Sequence, residues 1–106
     1  MPGLYDKENM LGVINSLPDQ IKEAYGLGAR IQLKGSVDKI FVCGMGGSSI
    51  SGQLLETYLS MLKIKIPVFI VEDYNLPEYA DKSSLIFIIS YSGNTEESIS
   101  CYREAL

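Results

Sequence analysis

Two segments of this chain, Gly44-Met45-Gly46-Gly47-Ser48-Ser49 and Ser90-Tyr91-Ser92-Gly93-Asn94-Thr95, are built almost wholly from glycine and hydroxyl residues, and each follows a short apolar run. The runs, Ile40-Phe41-Val42-Cys43 and Leu85-Ile86-Phe87-Ile88-Ile89, are β-branched or aromatic and continuous, as in parallel strands buried on both faces. Helical patterns follow both turns. Glycine lets backbone approach a ligand closely, and the first N–H groups of a helix have no intrahelical partner and sit at the positive end of its dipole. Hydroxyls add donors without charge. The pair of turns therefore describes a pocket for a phosphate group.

The rest of the chain supplies the frame. Asp6 caps a predicted helix running to about Leu17, with Met10, Leu11, Ile14 and Leu17 on its apolar side. Pro18 opens a second helix whose stripe is Ile21, Ala24 and Tyr25, with Gly26 and Gly28 as places to stop. Gln32 to Ser36 is a polar approach to the first strand. After the first turn, Ile50, Leu54, Leu55, Tyr58, Leu59 and Leu62 form the predicted apolar face of a helix ending near Lys63. Val68-Phe69-Ile70-Val71 is the second strand, and the connection from Leu76 to Asp81 has room for one helical turn. Thr95 opens a last helix. The order helix, helix, strand, helix, strand, strand, helix reads as an α/β fold with a parallel sheet, doubly wound in style. Three strands make a narrow sheet where such a domain needs about five, so the 106 residues read as the first part of a longer protein, the domain incomplete.

Composition excludes several partners. Nine Lys+Arg against thirteen Asp+Glu, a formal charge of −4, leave no basic field for a nucleic-acid backbone. The amino terminus lacks a signal-peptide pattern and no apolar run approaches the roughly 18 residues of a membrane span, so a cytoplasmic protein without membrane contact is expected. Cys43 and Cys101 are far apart and there is no histidine, so neither a zinc site nor any other metal is expected, and both cysteines read as buried reduced thiols.

Other glycine motifs fit less well. Gly44-Met45-Gly46-Gly47-Ser48-Ser49 has the first two glycines of a dinucleotide turn but Ser49 at the third, and Glu72 or Asp73 stands where a ribose-binding acid would be. A nucleotide site stays open as an alternative. No lysine follows these glycines, which rules out a Walker loop, and without histidine the serines have no base for nucleophilic catalysis.

Phe41-Val42-Cys43-Gly44-Met45-Gly46-Gly47-Ser48 followed by Ser90-Tyr91-Ser92-Gly93-Asn94-Thr95-Glu96-Glu97 resembles the sugar isomerase (SIS) domain, in particular the first such domain of the bifunctional phosphoglucose/phosphomannose isomerases. The resemblance spans nearly the whole chain. It implies a flavodoxin-like three-layer sandwich, with residues 1–35 as a preceding helical segment and 36–106 as the first part of the SIS domain. It further implies a homodimeric cytoplasmic enzyme interconverting aldose and ketose 6-phosphates through a cis-enediol, with no metal or other cofactor. Carried over by motif, Gly47 and Ser48 of the first turn and Ser90, Ser92 and Thr95 of the second hold the sugar phosphate, and Gly46 lets the loop approach it. The glutamate, histidine, lysine and arginine of the family's chemistry fall outside this chain, so no catalytic residue is assigned. A non-catalytic SIS module sensing a sugar phosphate within a regulator is the alternative from a different class.

The neighbours of these residues have plainer readings. Glu96 and Glu97 complement the helix dipole, and Glu72 is a solvated strand end. Ser49 either points away from the ligand or contributes through its backbone N–H, Tyr91 packs under its loop in preference to touching the sugar, Asn94 holds its turn by bonding its own backbone, and Met45 fills space.

Overall fold

The computed structural model describes Tyr5 and residues 7–106; the expected helix cap, Asp6, lies outside the described residues. Two units are present, one ending at Lys34 and one running from Gly35 to Leu106. In the first, α1 (Met10–Asn15) and α2 (Leu17–Gly28) are separate helices joined at Ser16. The single helix expected to reach Leu17 therefore stops two residues earlier. The Ser16 hydroxyl donates to Val13 O at 2.7 Å and accepts from Gln20 Nε2 at 2.7 Å, and Pro18 stands in the first turn of α2, where its missing N–H costs no hydrogen bond. Gly26 does not interrupt α2. Neither helix has a buried residue.

The second unit is a three-stranded parallel sheet in the order β2 (Val68–Val71), β1 (Lys39–Cys43), β3 (Ser84–Ile88). Being central, β1 is enclosed on both faces: Ile40, Phe41, Val42 and Cys43 are all buried. Side-chain alternation then sorts its residues. Phe41 and Cys43 join Val71, Leu76 and Cys101 in one core, while Val42 faces α3 (Ile50–Met61) across the sheet. Phe41 is fully buried, with the Phe69 ring at 5.2 Å and the Tyr79 ring at 5.7 Å, and such burial contributes roughly 2–3 kcal/mol.

The predicted apolar face of α3 is corrected. Gly52 is its buried residue, with Leu55 and Leu59 half-buried, whereas Ile50, Leu54, Tyr58 and Leu62 are exposed. A Cβ on Gly52 would lie 2.9 Å from Ile70 Cγ1 and 3.1 Å from Val42 Cβ, so the absent side chain is what lets the helix sit on the sheet. The helix ends as expected near Lys63, which takes a left-handed φ of 58°. Between β2 and β3 the chain crosses the Phe41 face. The expected helical turn there is reduced to one turn hydrogen bond, Ala80 N to Pro77 O at 3.1 Å, which leaves Leu76 free to enter the core. The last helix, α4 (Glu96–Ala105), buries Ser98 and Cys101, one helical turn apart, against that same face.

Candidate functional site

The two glycine and hydroxyl turns leave adjacent strands. Cys43 is paired in register with Ile88, and Ile89 N donates to Cys43 O at 2.9 Å, so the first turn starts one strand spacing, about 4.8 Å, from the second. Their helices part: α3 lies on the Val42 face and α4 on the Cys43 face. Strand order also reverses at β1, because β2 lies on its other side. A crevice outside the carboxyl ends of two strands whose connections leave to opposite faces is where open α/β sheets bind ligands.

In the first turn Gly44 is buried, and a Cβ there would meet the Ser48 carbonyl carbon and Cβ at 3.1 Å, pressing on the Ser48 backbone where the loop closes on itself. Gly46 has a φ of 57°, and Gly46–Ser49 wind into a short 3₁₀ helix leading into α3. Ser48 N donates to Met45 O at 3.1 Å, and the buried Ser49 hydroxyl donates to Gly46 O at 2.7 Å. Gly46 and Gly47 are exposed and Ser48 is half-buried. Neither the 3₁₀ turn nor α3 carries a side-chain cap.

The second turn is organised by hydroxyls. Ser90 Oγ lies 2.8 Å from Thr95 Oγ1 and accepts from Gly93 N at 3.0 Å; Ser92 Oγ accepts from Asn94 N at 3.1 Å. Each backbone donation occupies a hydroxyl lone pair; the Ser90–Thr95 contact uses one of that pair's two protons, so Ser92 and one of the pair keep a proton for an acceptor. Thr95 stands at the N-cap position of α4, yet its side chain makes no capping bond because it is turned to Ser90. The opening amides of α4 are thus uncapped beside three hydroxyls. Two neighbours differ from expectation. Tyr91 is 104% exposed, so it does not pack under its loop, and the turn is held by Ser92 and Ser90 rather than by the Asn94 side chain. Glu96 and Glu97 do occupy the first turn of α4, and Glu72 is exposed.

The structure thus joins Ser90 to Thr95, sets Ser92 in the same turn, and puts Gly46, Gly47 and Ser48 on the adjacent one. Among the described residues no hydrogen bond joins the two turns. Beneath them, Cys43 and Cys101 are both free and buried; burial pushes the Cys43 thiol up to about 12, with Cys101 beside it adding to the rise, so it is no nucleophile at neutral pH. The Cys101 thiol donates to Asp73 O at 3.2 Å, tying α4 to the exit of β2. Among the described residues no cluster of three acidic, cysteine or histidine side chains could hold a metal ion, and no helix is long and apolar enough to cross a membrane.

The motif reasoning passed over two residues. Gly52 lay hidden in an otherwise apolar helix, although a lone glycine in a helix is itself a sign of close packing. Tyr74, read only as part of a polar strand exit, donates its phenol to Glu96 Oε2 at 3.3 Å, a contact without local signature because 22 residues separate the partners.

Comparison with known proteins finds relatives of one name. The chain is 42% identical over 99 residues to a bifunctional phosphoglucose/phosphomannose isomerase of Caldicellulosiruptor bescii, covering 91% of this chain and 29% of the relative. Relatives of the same name from Aquifex aeolicus and Thermoplasma volcanium are 48% identical over 67 residues and 46% over 71, covering 63% and 67% of this chain and 21% and 22% of theirs. The chain thus spans under a third of the length of the curated relatives it matches. No family model matches, and no solved structure matches.

Proposed function

We propose that the chain, which is similar in sequence to bifunctional phosphoglucose/phosphomannose isomerases, forms the part of such an enzyme that anchors the phosphate of a sugar phosphate. One observation carries the reading: the Thr95 hydroxyl turns away from its cap to Ser90, so the start of α4 offers uncapped amides beside hydroxyl donors, next to the equally uncapped Gly46–Ser49 turn. A phosphate dianion received there takes donors from both turns. Hydrogen bonds to charged groups are worth roughly 1.5–3 kcal/mol each, enough to hold the ligand without a lysine in either turn. Gly46, Gly47, Ser48, Ser90, Ser92 and Thr95 are its ligands in this reading.

Isomerisation of glucose 6-phosphate and fructose 6-phosphate, with mannose 6-phosphate as a further substrate, proceeds in this proposal through a cis-enediol. It requires a base at C1 and C2 and an acid to open the sugar ring, and no residue of this chain is assigned either role. A SIS domain beginning at residue 36 behind a helical segment, a cytoplasmic location and a homodimer belong to the same proposal.

A crystal of the chain soaked in fructose 6-phosphate tests the anchor directly. Density for the phosphate between residues 46–48 and 90–95 supports it. Density along Glu72 with these turns empty would replace it with a nucleotide site.

A further inference from the structure

We infer that Tyr74 is a positioning residue for this anchor, holding the carboxylates that open α4 toward the β2 side of the sheet edge, clear of the anion. The inference rests on the phosphate-anchoring reading above. Glu96 and Glu97 follow directly on Thr95, so the helix start that would receive a dianion carries two negative charges of its own. They complement the dipole of the empty helix, but an arriving phosphate meets them as like charges at short range, in competition for the same amides.

The β2 exit engages Glu96 directly, and Glu97 packs where β1, β2 and the first turn meet. The Tyr74 phenol lies 3.3 Å from Glu96 Oε2 as donor. Glu97 lines a tight crevice with Cys43, Gly44, Met45, Val71 and Asp73. Because β2 and β3 flank β1, the Tyr74–Glu96 contact links the exit of one outer strand to the helix that follows the other. Tyr74 is itself held in place: its backbone N–H donates to Asp73 Oδ1 at 2.7 Å, and Asp73 O accepts the Cys101 thiol at 3.2 Å. The charges of Glu97 and Glu96 raise the phenol above its ordinary ionisation range, which keeps its proton on and preserves it as a donor.

Inorganic phosphate titrated into the chain, followed by NMR at the Gly93 and Thr95 amides, separates the possibilities. The variants are Tyr74→Phe, Tyr74→Phe combined with Glu96→Gln and Glu97→Gln, and Ser48→Ala. Freed carboxylates should raise the phosphate Kd in Tyr74→Phe by about threefold to tenfold, and neutralising both acids in that background should return it to within about twofold of the parent. That rescue is the readout a merely structural tyrosine would not give. A parental Kd in Tyr74→Phe, with binding weakened in Ser48→Ala, overturns the inference and leaves the anchor standing. A loss in Tyr74→Phe that the glutamine substitutions do not recover also overturns it. A parent whose two turns do not respond to phosphate removes the anchor and this inference together.

Discussion

The two turns meet at one sheet edge and reach it by different physics. The first leaves the buried central strand and is shaped by what is missing: Gly44 closes against Ser48, Gly46 adopts a left-handed φ, and Gly52 lets the following helix rest on Val42 and Ile70. The second leaves β3, whose Phe87 is 41% exposed, and is shaped by what is added, three hydroxyls that accept loop amides or meet one another. Close packing fixes one turn and hydrogen bonding the other. The first should therefore fail when volume is added, and the second when a hydroxyl is lost.

The largest expected effect tests the packing half. Gly52→Val forces side-chain atoms into Ile70 and Val42 and should destabilise the chain by about 2–3 kcal/mol in urea denaturation. Ser98→Ala, on the corresponding face of α4, removes only a long contact to Ile89 O at 3.5 Å and should cost about 1 kcal/mol or less. Equal midpoints for the two variants would break the distinction between the turns.

Ligand affinity sharpens it next. Ser48→Ala and Thr95→Ala should each weaken sugar-phosphate binding by about tenfold to a hundredfold, where 1.4 kcal/mol is tenfold. Thr95→Ser keeps the hydroxyl that meets Ser90 and should bind nearly as the parent does. Calorimetry showing affinities unchanged by both alanine substitutions would remove these residues from the site.

A smaller effect asks whether backbone conformation matters equally in both turns. Gly46 and Gly93, at φ of 57° and 74°, each have open space where a Cβ would go, so Gly46→Ala and Gly93→Ala should each cost about 1–2 kcal/mol from strain alone. Asparagine, which tolerates this region, should cost less at both positions. A cost for Gly46→Ala far above that for Gly93→Ala would mean that packing, not φ, governs the first turn there too.

The smallest effect lies at the other end of the sheet and serves as the control. Lys39 Nζ pairs with Asp38 at 2.9 Å and Asp81 at 3.1 Å, remote from both turns. The Lys39 bond and the Ser83 N–H hold the Asp81 carboxyl below its ordinary 3.8, so its contribution is present above that pH and is lost as pH falls through the lower folded value. Asp38 and Asp81 raise Lys39 above 10.5, so its contribution holds below that pH and fades as pH rises through the higher folded value. Stability of Asp81→Asn should fall slightly below the parent at neutral pH and converge with it in strong acid. Phosphate affinity should not change.

Much of this was legible in the chain. The run Ile40 to Cys43 announced a doubly buried strand, and Val68 to Val71 was bounded correctly because Pro67 and the acidic exit punctuate it. The inward face of α3 was not legible, because helical periodicity counts apolar side chains and the residue against the sheet has none. Leu17 was read as the end of α1 rather than the start of α2, since its spacing fits either and only the Ser16 hydrogen bonds separate them. Tyr91 looked like a packing residue by type, yet nothing lies above it to pack against.

Local stereochemistry and periodicity are properties of adjacent residues, so the sequence alone determined the three strands, the helices after each turn and the glycine-rich turns between them. Relations through space required the fold. The order β2-β1-β3 brings the two turns side by side, sends their helices to opposite faces, and sets Cys43 beside Cys101 and Tyr74 beside Glu96. Whether the Thr95 hydroxyl caps its helix or turns to Ser90 depends on how β3 delivers the loop. A partner 22 or 58 positions away leaves no trace in local pattern; only packing all three strands in register decides which distant side chains come within a hydrogen bond's reach.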